Sequence, residues 1–503
     1  MNDNNMYTAS LAINMMKNAS DYAVSDNIKE NLVSKNITEN GVYAPSGDKV
    51  DGYSSVNVNV SNSYSSTDEG KVVSDGALVA QTAYPTEITE NNTYDTTNYN
   101  SITVNVSSGG GSATKKDVNF YDYDGSIVYS YTATDFANLS ELPANPTHSE
   151  LTAQGWNWTL ANAKSYVASY GKLDIGQMYA SNTTDGKTIL HIILGEGRLK
   201  PYLGLTGNSS GTAVSIDWGD GSASENVTLN TSTVYTPHEY VSDGEYNIAI
   251  SVTSGSISFN STSNSTNIFR KSPSQDTNND KVYANILTKV EIGTGVTSIG
   301  DYAFNGCYSL TSVTLSSSVT TISKDAFYYC YNLHSITIPN TVTSIGSSVF
   351  DDCTALVSIT IPNTITSLPL GFFNKCCALD SVSLPHNIST IGMGAFTYCY
   401  SLSSVAIPDS VTYMDTYAFS GCSSLTSITI PSTVTSIANH VFDGDYGLGF
   451  IKFSSTNPPT VSSAGTWTGI PTDCIIYVPS GSLSTYTSAQ YYPNSSNYQY
   501  VEY

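Results

Sequence analysis

The chain has 503 residues and a formal net charge of −23, with only 19 Lys and Arg residues. This length predicts several domains, and the high content of Tyr, Ser, Thr, Asn and Gly is typical of short β-strands joined by polar turns. The basic residues form no cluster, which argues against nucleic acid or an anionic membrane as a partner.

The first 36 residues are polar with a weak helical pattern, and we expect them to form an N-terminal attachment segment. The opening MNDNNMYTAS lacks the basic and long apolar regions of a secretory signal. No stretch approaches the roughly 18 apolar residues that a membrane-spanning helix needs. We therefore expect neither conventional secretion nor membrane insertion.

Two related segments occupy residues 37–112. ITENGVYAPSGDKVDGYSSVNVNVS begins at residue 37, and ITENNTYDTTNYNSITVNVS begins at residue 88. Both end in apolar–polar alternation, which predicts a half-buried strand in each, and SSGGGS at 107–112 is typical of a flexible linker. The duplication resembles segments of structural and tail-associated proteins of phages of gut bacteria. That resemblance implies contact with other virion structural proteins and leaves a homo-oligomer such as a trimer open.

Within residues 113–190, the stretch DVNFYDYDGSIVYSYTA starts at residue 117 and predicts two strands around an Asp-Gly turn. QGWNWT follows, and then LANAKSYVASYG, a predicted helix that Gly171 closes. The order of strand, Asp-rich turn, strand and late Gly-Trp resembles the β-grasp-like repeats of bacterial surface proteins. The resemblance implies a small α+β module.

Residues 191–283 contain SIDWGDGS and TPHEYVSDGEYNIAISV. This pattern resembles the polycystic-kidney-disease (PKD) type of immunoglobulin-like domain, although the aromatic residue that usually separates Trp from Gly-Asp-Gly is missing. The resemblance implies a β-sandwich and no chemistry. The matching positions are Trp218, Gly219, Asp220, Gly221, His238, Tyr240, Gly244 and Tyr246.

A 23-residue period begins near residue 284. Phe recurs from Phe304 to Phe442, Cys recurs from Cys307 to Cys422, and a Leu follows each of these Cys positions by three residues. A fixed period of this length indicates a solenoid. The consensus A-F-x-x-C-x-x-L-x-S-I-x-I-P-x-x-V-T-x-I strongly resembles BspA-like leucine-rich repeats, and the tail resembles the cap that ends such arrays.

Together these segments predict a mainly β, multidomain chain. Its parts would be N-terminal β-modules, a β-grasp-like module, a PKD-like β-sandwich and a C-terminal leucine-rich-repeat solenoid of seven 23-residue coils. The expected boundaries are 1–36, 37–112, 113–190, 191–283, 284–453 for the repeats and 454–503 for the cap.

The recurring cysteines have several chemical interpretations. Because a solenoid coil advances about 5 Å, equivalent residues stack. The Cys positions lie between apolar Phe and Leu positions, so we expect buried thiols that act as small hydrophobes. Asp445 in the seventh place shows that sulfur is dispensable there. The alternatives are a disulfide near Cys376 and Cys377 or at Cys474, and a metal or redox site, although no paired CxxC spacing supports zinc.

Metal-binding and catalytic motifs are weak. Asp276, Asn278 and Asp280 match the start of a calcium loop, but Lys281 stands where that loop needs Gly. DYDG at 122–125 is better explained as a turn. The His residues are scattered, and no nucleophile elbow, zincin or P-loop motif occurs. We expect no enzyme, no cofactor and no bound metal, with calcium left open.

The repeats offer two candidate contact surfaces. Leu310, Val313 and Leu315 are expected to point into the core. The residues between them, mostly Ser and Thr, are therefore expected on an exposed sheet face rich in hydroxyl groups. The Tyr residues beside the Cys positions offer a large rigid contact area with a polar tip. Alternatively, Ser and Thr only solubilise the sheet and Tyr packs over coil edges. The candidate ligand contacts are Ser335, Thr337, Ser358, Thr360, Tyr308, Tyr329, Tyr331, Tyr398 and Tyr400.

These features predict a non-enzymatic recognition or adhesion protein. The first hypothesis is a tail, fibre or head-fibre protein at the virion surface of a phage, with repeats that contact a host cell-surface protein or glycan. A BspA-like adhesin at the bacterial cell surface is the alternative. A structural virion decoration protein without a receptor is a second alternative, and a glycan-degrading enzyme is a distant one.

Overall fold

The computed structural model describes the side chains of residues 116–181, 185–195, 198–261, 268–271, 283 and 285–503, and the backbone of strands between residues 37 and 107. The chain divides into two compact units, Met1–Thr114 and Lys115–Tyr503. Strands predominate in the described residues, as the composition predicted. The expected helix in residues 1–36, the linker at 108–112 and the calcium candidates at 276–280 lie outside them.

In the first unit, short strands form three small sheets, in the orders β1-β2-β3, β4-β8-β7 and β5-β6. The strands are β1 (Ile37–Thr38), β2 (Gly41–Tyr43), β3 (Lys49–Val50), β4 (Ser55–Val60), β5 (Val72–Ser74), β6 (Ala77–Val79), β7 (Asn92–Thr96) and β8 (Tyr99–Ser107). The two alternating segments pair with each other, because β4 and β8 are antiparallel with Val56 opposite Val106 and Val60 opposite Ile102.

The second unit begins with an α+β module, residues 116–181, whose sheet has the order β10-β9-β12-β11. Its elements are β9 (Val118–Tyr121), β10 (Ile127–Tyr131), α1 (Ala133–Ala137), β11 (Leu151–Trp156), α2 (Leu160–Tyr170) and β12 (Leu173–Ser181). The predicted turn and helix are both present. Gly125 has a φ of +85° in the Asp-Gly turn, and α2 ends at Gly171 with a φ of +83°.

A two-sheet β-sandwich follows, with β16-β15-β18-β13 in one sheet and β17-β14-β19 in the other, where β20 also pairs with β14. The strands are β13 (Thr188–Leu194), β14 (Tyr202–Gly207), β15 (Thr212–Asp217), β16 (Glu225–Leu229), β17 (Val234–Pro237), β18 (Gly244–Ser254), β19 (Ile257–Phe259) and β20 (Phe269–Arg270). Residues of the PKD-like pattern lie together: His238 stacks on Trp218 at 4.6 Å and contacts Asp220 at 2.9 Å.

The solenoid has two rows of parallel strands, which we call the front row and the back row. The front row contains β21 (Leu287–Glu291), β23 (Ser312–Thr314), β25 (Ser335–Thr337), β27 (Ser358–Thr360), β29 (Ser381–Ser383), β32 (Ser427–Ile430), β34 (Phe450–Phe453), β36 (Ile475–Val478) and β37 (Gln499–Glu502). The back row contains β22 (Val296–Ile299), β24 (Thr321–Ile322), β26 (Ser344–Ile345), β28 (Ser367–Leu368), β30 (Thr390–Ile391), β31 (Tyr413–Met414), β33 (Ser436–Ile437) and β35 (Thr460–Val461).

The sandwich and the solenoid share both sheets. Strand β13 pairs with β21, the first front-row strand, and β19 pairs with β22, the first back-row strand. One continuous buried core runs from Leu190 in the sandwich to Tyr486 near the C-terminus. The sandwich therefore closes the N-terminal end of the solenoid, and the predicted boundary at residue 284 separates two parts of one core.

The interior of the solenoid has the predicted period, so the expected fold class is confirmed. We number the coils 1 to 7 by their Phe residues, from Phe304 to Phe442. Phe rings of neighbouring coils stack, for example Phe396 on Phe419 at 5.1 Å, and Trp467 continues the stack beyond Phe442. Inward-facing residues of coil 2 are all buried, namely Phe327, Cys330, Leu333, Ile336 and Ile338.

The six recurring cysteines, from Cys307 to Cys422, form a buried structural column, as predicted, and all eight Cys residues of the chain are free thiols. In coils 2 to 6 each column thiol donates to the carbonyl oxygen of the Phe residue 26 positions earlier, as Cys353 does to Phe327 at 3.3 Å. Burial raises the pKa of the Cys353 thiol well above its usual value, so thiolate chemistry is suppressed.

Replacing Cys353 with Ala is expected to lower the free energy of unfolding by about 1–2 kcal/mol, because a small cavity forms and one weak hydrogen bond is lost. Urea unfolding of the full chain measures the change. Ligand binding should be retained, because the side chain is fully buried. Lost binding at unchanged stability would contradict a structural role for the column.

The chain ends in an aromatic cap. A 3-10 helix (Ala464–Trp467) and α3 (Leu483–Thr487) lie beside the last strands. Tyr486 and Tyr492 contact the ring of Phe453, and Tyr492 also contacts Trp467. This cluster covers the apolar end of the stack, as the predicted cap at 454–503 requires.

Candidate recognition surface

The α+β module lies on the front row of the solenoid. Strand β12 crosses β25, β27 and β29, and Gly176 permits the closest approach, because a Cβ atom there would lie within 2.8 Å of the Thr360 Cβ atom. Gly125 is similarly close to Ser358. The other face of β12 contributes Leu173 and Ile175 to the core of the module. The sheet of the module therefore has the solenoid on one face and the apolar core of the module on the other, and α2 also reaches the solenoid at Ile407.

Buried hydrogen bonds hold the module in place. The fully buried Asn157 amide donates to the Ile361 carbonyl at 3.3 Å and to the Ser383 hydroxyl at 2.9 Å. Trp158 Nε1 donates to the Leu384 carbonyl, and the Tyr166 hydroxyl donates to the Ile407 carbonyl, both at 2.9 Å. Each bond satisfies a polar group that water cannot reach, so separating the two parts would leave several such groups unpaired.

The prediction of an exposed hydroxyl face is therefore wrong for coils 2 and 3. Thr337 and Ser358 are only 5% and 6% exposed, and Ser335 and Thr360 are half-buried. The repeat pattern gave the direction of these side chains correctly, but the module covers them. A large external ligand has no access to the part of the front row beneath β12.

The predicted tyrosines lie on a surface that the module leaves open. We call Tyr308, Tyr329, Tyr331, Tyr398 and Tyr400 the tyrosine edge. All five lie in the turns that contain the Cys column, on the side that leads into the front row, although coil 5 forms no front-row strand of its own. Tyr331 and Tyr398 are 40% and 43% exposed. Tyr308 stacks on Tyr331 with ring centroids 5.3 Å apart, and Tyr398 contacts Tyr400 at 5.8 Å. The sequence placed these five residues correctly beside the Cys column.

The turn backbone explains how two of these rings are presented. Each coil has two residues with positive φ, and the second of them is Gly in coils 1, 6 and 7 but Tyr329 and Tyr398 in coils 2 and 5. A non-glycine residue in this conformation costs about 1 kcal/mol. The same place is taken by Asp352 in coil 3 and Lys375 in coil 4, so this turn presents a side chain outward in four of the seven coils. The ring of Tyr398 also lies close to Gly421, where a Cβ atom would be only 2.6 Å from it.

Charged side chains separate the two tyrosine groups. In coil 3, Asp351 accepts a hydrogen bond from Asn374 at 2.8 Å, and Asp352 pairs with Lys375 at 3.0 Å. Desolvation, reinforced by repulsion from Asp352, raises the pKa of Asp351 to about 7. The tyrosine edge thus combines aromatic faces with a carboxyl group that titrates near neutral pH.

Sequence reasoning missed part of this edge. Tyr417 stacks on His440 at 4.9 Å, and Tyr328 stacks on Tyr329 at 3.8 Å. Tyr446 is 71% exposed in coil 7. Tyr446 could have been found from the sequence, because it occupies the position directly after the Cys place, as Tyr400 does two coils, or 46 residues, earlier. Tyr417 lies five coils after Tyr302 in the same column, so the same comparison would have found it.

Other ionisable clusters have structural partners. Glu291 contacts His191 at 3.0 Å and Lys289 at 2.9 Å, and these contacts lower the pKa of Glu291 to about 2. No group of three or more His, Cys, Asp or Glu residues in the described part of the chain is arranged to hold a metal ion. Among the described helices none has the length and apolar character needed to cross a membrane.

Comparison with a family model identifies the repeats. Residues 245–357, 277–400 and 352–459 match the BspA type leucine rich repeat region, in six copies. The chain therefore contains a BspA-type leucine-rich repeat region, as the consensus predicted. The matches begin at residue 245, so the PKD-type resemblance of 191–283 and the phage-type resemblance of the N-terminal segments stay predictions. No curated protein matched the chain.

Several solved structures are similar to parts of the chain. A leucine rich cell surface protein from Faecalibacterium prausnitzii is 29% identical, with 41% of this chain and 63% of that chain covered and a TM-score of 0.30. A leucine rich repeat protein from T. pallidum is 26% identical, covering 36% and 78%, with a TM-score of 0.24. The pneumococcal vaccine antigen PcpA is 20% identical, covering 43% and 68%, with a TM-score of 0.28. The chain thus spans less than two thirds of the first of these proteins.

Proposed function

We propose that this chain is a non-enzymatic adhesion or recognition protein of the bacterial cell surface, and that its repeats bind a surface protein or glycan through the tyrosine edge. One observation carries the proposal: the module covers the part of the front row beneath β12, whereas aromatic rings on the neighbouring edge remain exposed in turns with positive φ. The BspA-type repeat region supports a contact role, because solenoids present extended binding surfaces.

The virion-associated role rests mainly on the resemblance of the duplicated N-terminal segments to phage proteins, and no comparison supports it. The cell-surface role is therefore the better supported hypothesis. Under both hypotheses the same edge would contact the partner. They differ in the target, which is bacterial cells for a phage protein and another surface for a bacterial adhesin.

Exchange of Tyr331 and Tyr398 for Ser in the full chain is expected to weaken adhesion about tenfold, because exposed aromatic anchors often dominate binding energy. Beads coated with the protein are counted on epithelial monolayers and on bacterial lawns, each with and without periodate or trypsin treatment. Periodate sensitivity indicates a glycan, and trypsin sensitivity indicates a protein.

Tyr491→Ser is the matched control, because Tyr491 is 43% exposed in the cap, away from the tyrosine edge. Adhesion of this variant should equal that of the unmodified chain. If the double variant adheres as well as the control, the tyrosine edge is not the binding surface. The full chain is required, because the sandwich and the repeats share one core and a 285–503 fragment would expose its apolar end.

A further inference from the structure

A gap interrupts the column of tyrosines at coil 6. The position directly after the Cys place holds Tyr in coils 1, 2, 5 and 7, but it holds Ser423 in coil 6. Since one coil advances about 5 Å, the backbone positions of Tyr400 and Tyr446 lie about 10 Å apart on either side of Ser423. Where the column is filled, Tyr308 stacks on Tyr331 with ring centroids 5.3 Å apart. The gap at coil 6 therefore has the length of one flat ring in the stack.

Two glycines leave space beside this gap. Gly421 and Gly444 take the same turn position in coils 6 and 7, with φ values of +77° and +81°. A Cβ atom at Gly444 would meet no atom nearer than 3.7 Å apart from its chain neighbours. The Gly421 carbonyl accepts from the Ser423 amide at 2.9 Å, so the two columns meet there. We call the space over Ser423 and Gly444, between the rings of Tyr398 and Tyr446, the slot.

Exposed rings border the slot on both sides. Tyr398 is held on the coil 5 side by its contact with Tyr400 at 5.8 Å, and its ring lies against Gly421. On the coil 7 side, the Cε2 atom of Tyr446 would lie 4.0 Å from a Cβ atom at Gly444. Tyr446 is 71% exposed and Tyr398 is 43% exposed. A flat apolar group that enters the slot therefore meets an aromatic ring on each side.

The slot is polar at its base and uncharged. The half-buried Ser423 hydroxyl forms no hydrogen bond with the residues that the structure describes. Asp443, which precedes Gly444 in the chain, contacts His440 at 2.8 Å. Lys375, one coil before Tyr398, pairs with Asp352 of coil 3 at 3.0 Å. No cation is therefore available for an anionic ligand, which the net charge of −23 would also repel.

We propose that the slot binds one sugar ring of a neutral glycan between Tyr398 and Tyr446, and that the hydroxyl groups of this ring are equatorial. The C–H groups on both faces of such a ring are apolar and slightly positive, so they pack on the negative face of a phenol ring. The hydroxyl groups at its rim can bond Ser423. An apolar protein side chain would leave the Ser423 hydroxyl unpaired. This inference rests on the proposed function and narrows its partner from any surface protein or glycan to a neutral glycan.

The test is isothermal titration of the full chain with cellohexaose, a neutral oligomer of β-linked glucose. Hexaglucuronate with the same linkage is the comparison, because it keeps the ring shape and adds a carboxylate to every ring. We expect cellohexaose to bind with a Kd of about 0.1 mM and hexaglucuronate not to bind. Tyr446→Ser removes one bordering ring and should raise Kd about tenfold. Absence of cellohexaose binding to the unmodified chain would overturn the proposal.

A second variant fills the gap instead of removing a ring. Ser423→Tyr should abolish cellohexaose binding, because the new ring takes the open place between Tyr400 and Tyr446. The fold should tolerate the change, since Tyr occupies this column in four other coils. Thr354→Tyr is the matched control, because it adds the same ring to the same column in coil 3, away from the slot. Its Kd should stay within about twofold of the unmodified value.

Urea unfolding of both filled variants checks that each is folded before titration. A surface that binds sugar through its aromatic content alone would gain affinity from either added ring. Unchanged binding in Ser423→Tyr, or equal loss of binding in Thr354→Tyr, would therefore show that the slot is not the site.

The outcomes separate this inference from the proposed function. If cellohexaose does not bind but bead adhesion depends on Tyr331 and Tyr398, the adhesion function stands and the slot is not a sugar site. If Ser423→Tyr abolishes cellohexaose binding but no cell surface binds the beads, the sugar site stands and the adhesion function is wrong. If neither cellohexaose nor any cell surface binds, both proposals are wrong.

Discussion

Replacing Gly176 with Ala is expected to lower the free energy of unfolding by about 2–3 kcal/mol and to loosen the module from the solenoid, because the added methyl group overlaps the Thr360 side chain. The backbone of β12 has to move outward, and the buried bonds of Asn157 and Trp158 then weaken. Hydrogen exchange at residues 157–181 and 358–384 should accelerate. Trp158, now 3% exposed, should show red-shifted fluorescence as water reaches it.

A reciprocal exchange makes this test specific. Thr360→Gly alone is expected to cost about 1 kcal/mol, because Gly weakens a strand. Combined with Gly176→Ala it should restore most of the lost protection, because the overlapping atoms are gone. Gly195→Ala is the control, since its Cβ would meet nothing within 4 Å. Additive losses in the double variant would show that the contact of Gly176 with Thr360 does not hold the module.

The repeats could be predicted from sequence because their contacts recur at one fixed separation. A 23-residue period assigns Phe327, Cys330 and Leu333 to the interior, and their equivalents follow in every coil. The five tyrosines beside the Cys column followed from the same register. Local signals also sufficed for the turn at Gly125 and for the helix that ends at Gly171.

The cover on the front row could not be predicted in this way. Asn157 and Ser383 are in contact although they lie 226 positions apart in the chain. No motif or spacing around either residue indicates this contact. Gly176 in β12 and Thr360 in β27 both lie in ordinary strands. The junction of the sandwich and the solenoid could not be predicted for a similar reason. Strands β13 and β21 pair through backbone hydrogen bonds, which do not depend on the side chains of either strand.

The covered front row and the exposed tyrosine edge together change where ligand binding is expected on the repeats. A repeat pattern alone makes the front row the obvious contact surface, since its Ser and Thr residues point outward. The module removes that surface from coils 2 and 3 and leaves the turns with their tyrosines open. Detaching the module by Gly176→Ala should therefore expose Ser358 without improving adhesion through Tyr331 and Tyr398.

Replacing Asp445 with Cys is expected to stabilise the chain increasingly as the pH rises. Asp445 takes the Cys place in coil 7 and is fully buried, with Oδ1 accepting from the Cys422 amide at 2.8 Å and Oδ2 without a hydrogen-bond partner among the described residues. Desolvation raises the pKa of this carboxyl well above its usual value. The folded chain therefore retains a proton that the unfolded chain releases above about pH 4.

The sign of the effect follows from proton linkage. Because the folded-state pKa is the higher one, the contribution of Asp445 to stability is fully present below the unfolded pKa and is lost as the pH rises through the folded pKa. Within that window the free energy of unfolding falls by about 1.4 kcal/mol per pH unit for this one proton. Other carboxyls with raised pKa, such as Asp351, add to the slope of the unmodified chain, so the difference between the two proteins isolates Asp445.

Urea unfolding of both proteins from about pH 4 to about pH 8 measures this difference. The thiol introduced by Asp445→Cys would continue the column and could donate to the Phe419 carbonyl, as Cys422 does to Phe396 at 3.1 Å. Asp445→Asn is the second variant, because it keeps an acceptor for the Cys422 amide but cannot titrate. We expect both variants to diverge from the unmodified chain with rising pH. A constant offset at all pH values would mean that Asp445 is ionised in the folded chain, with its charge stabilised in place.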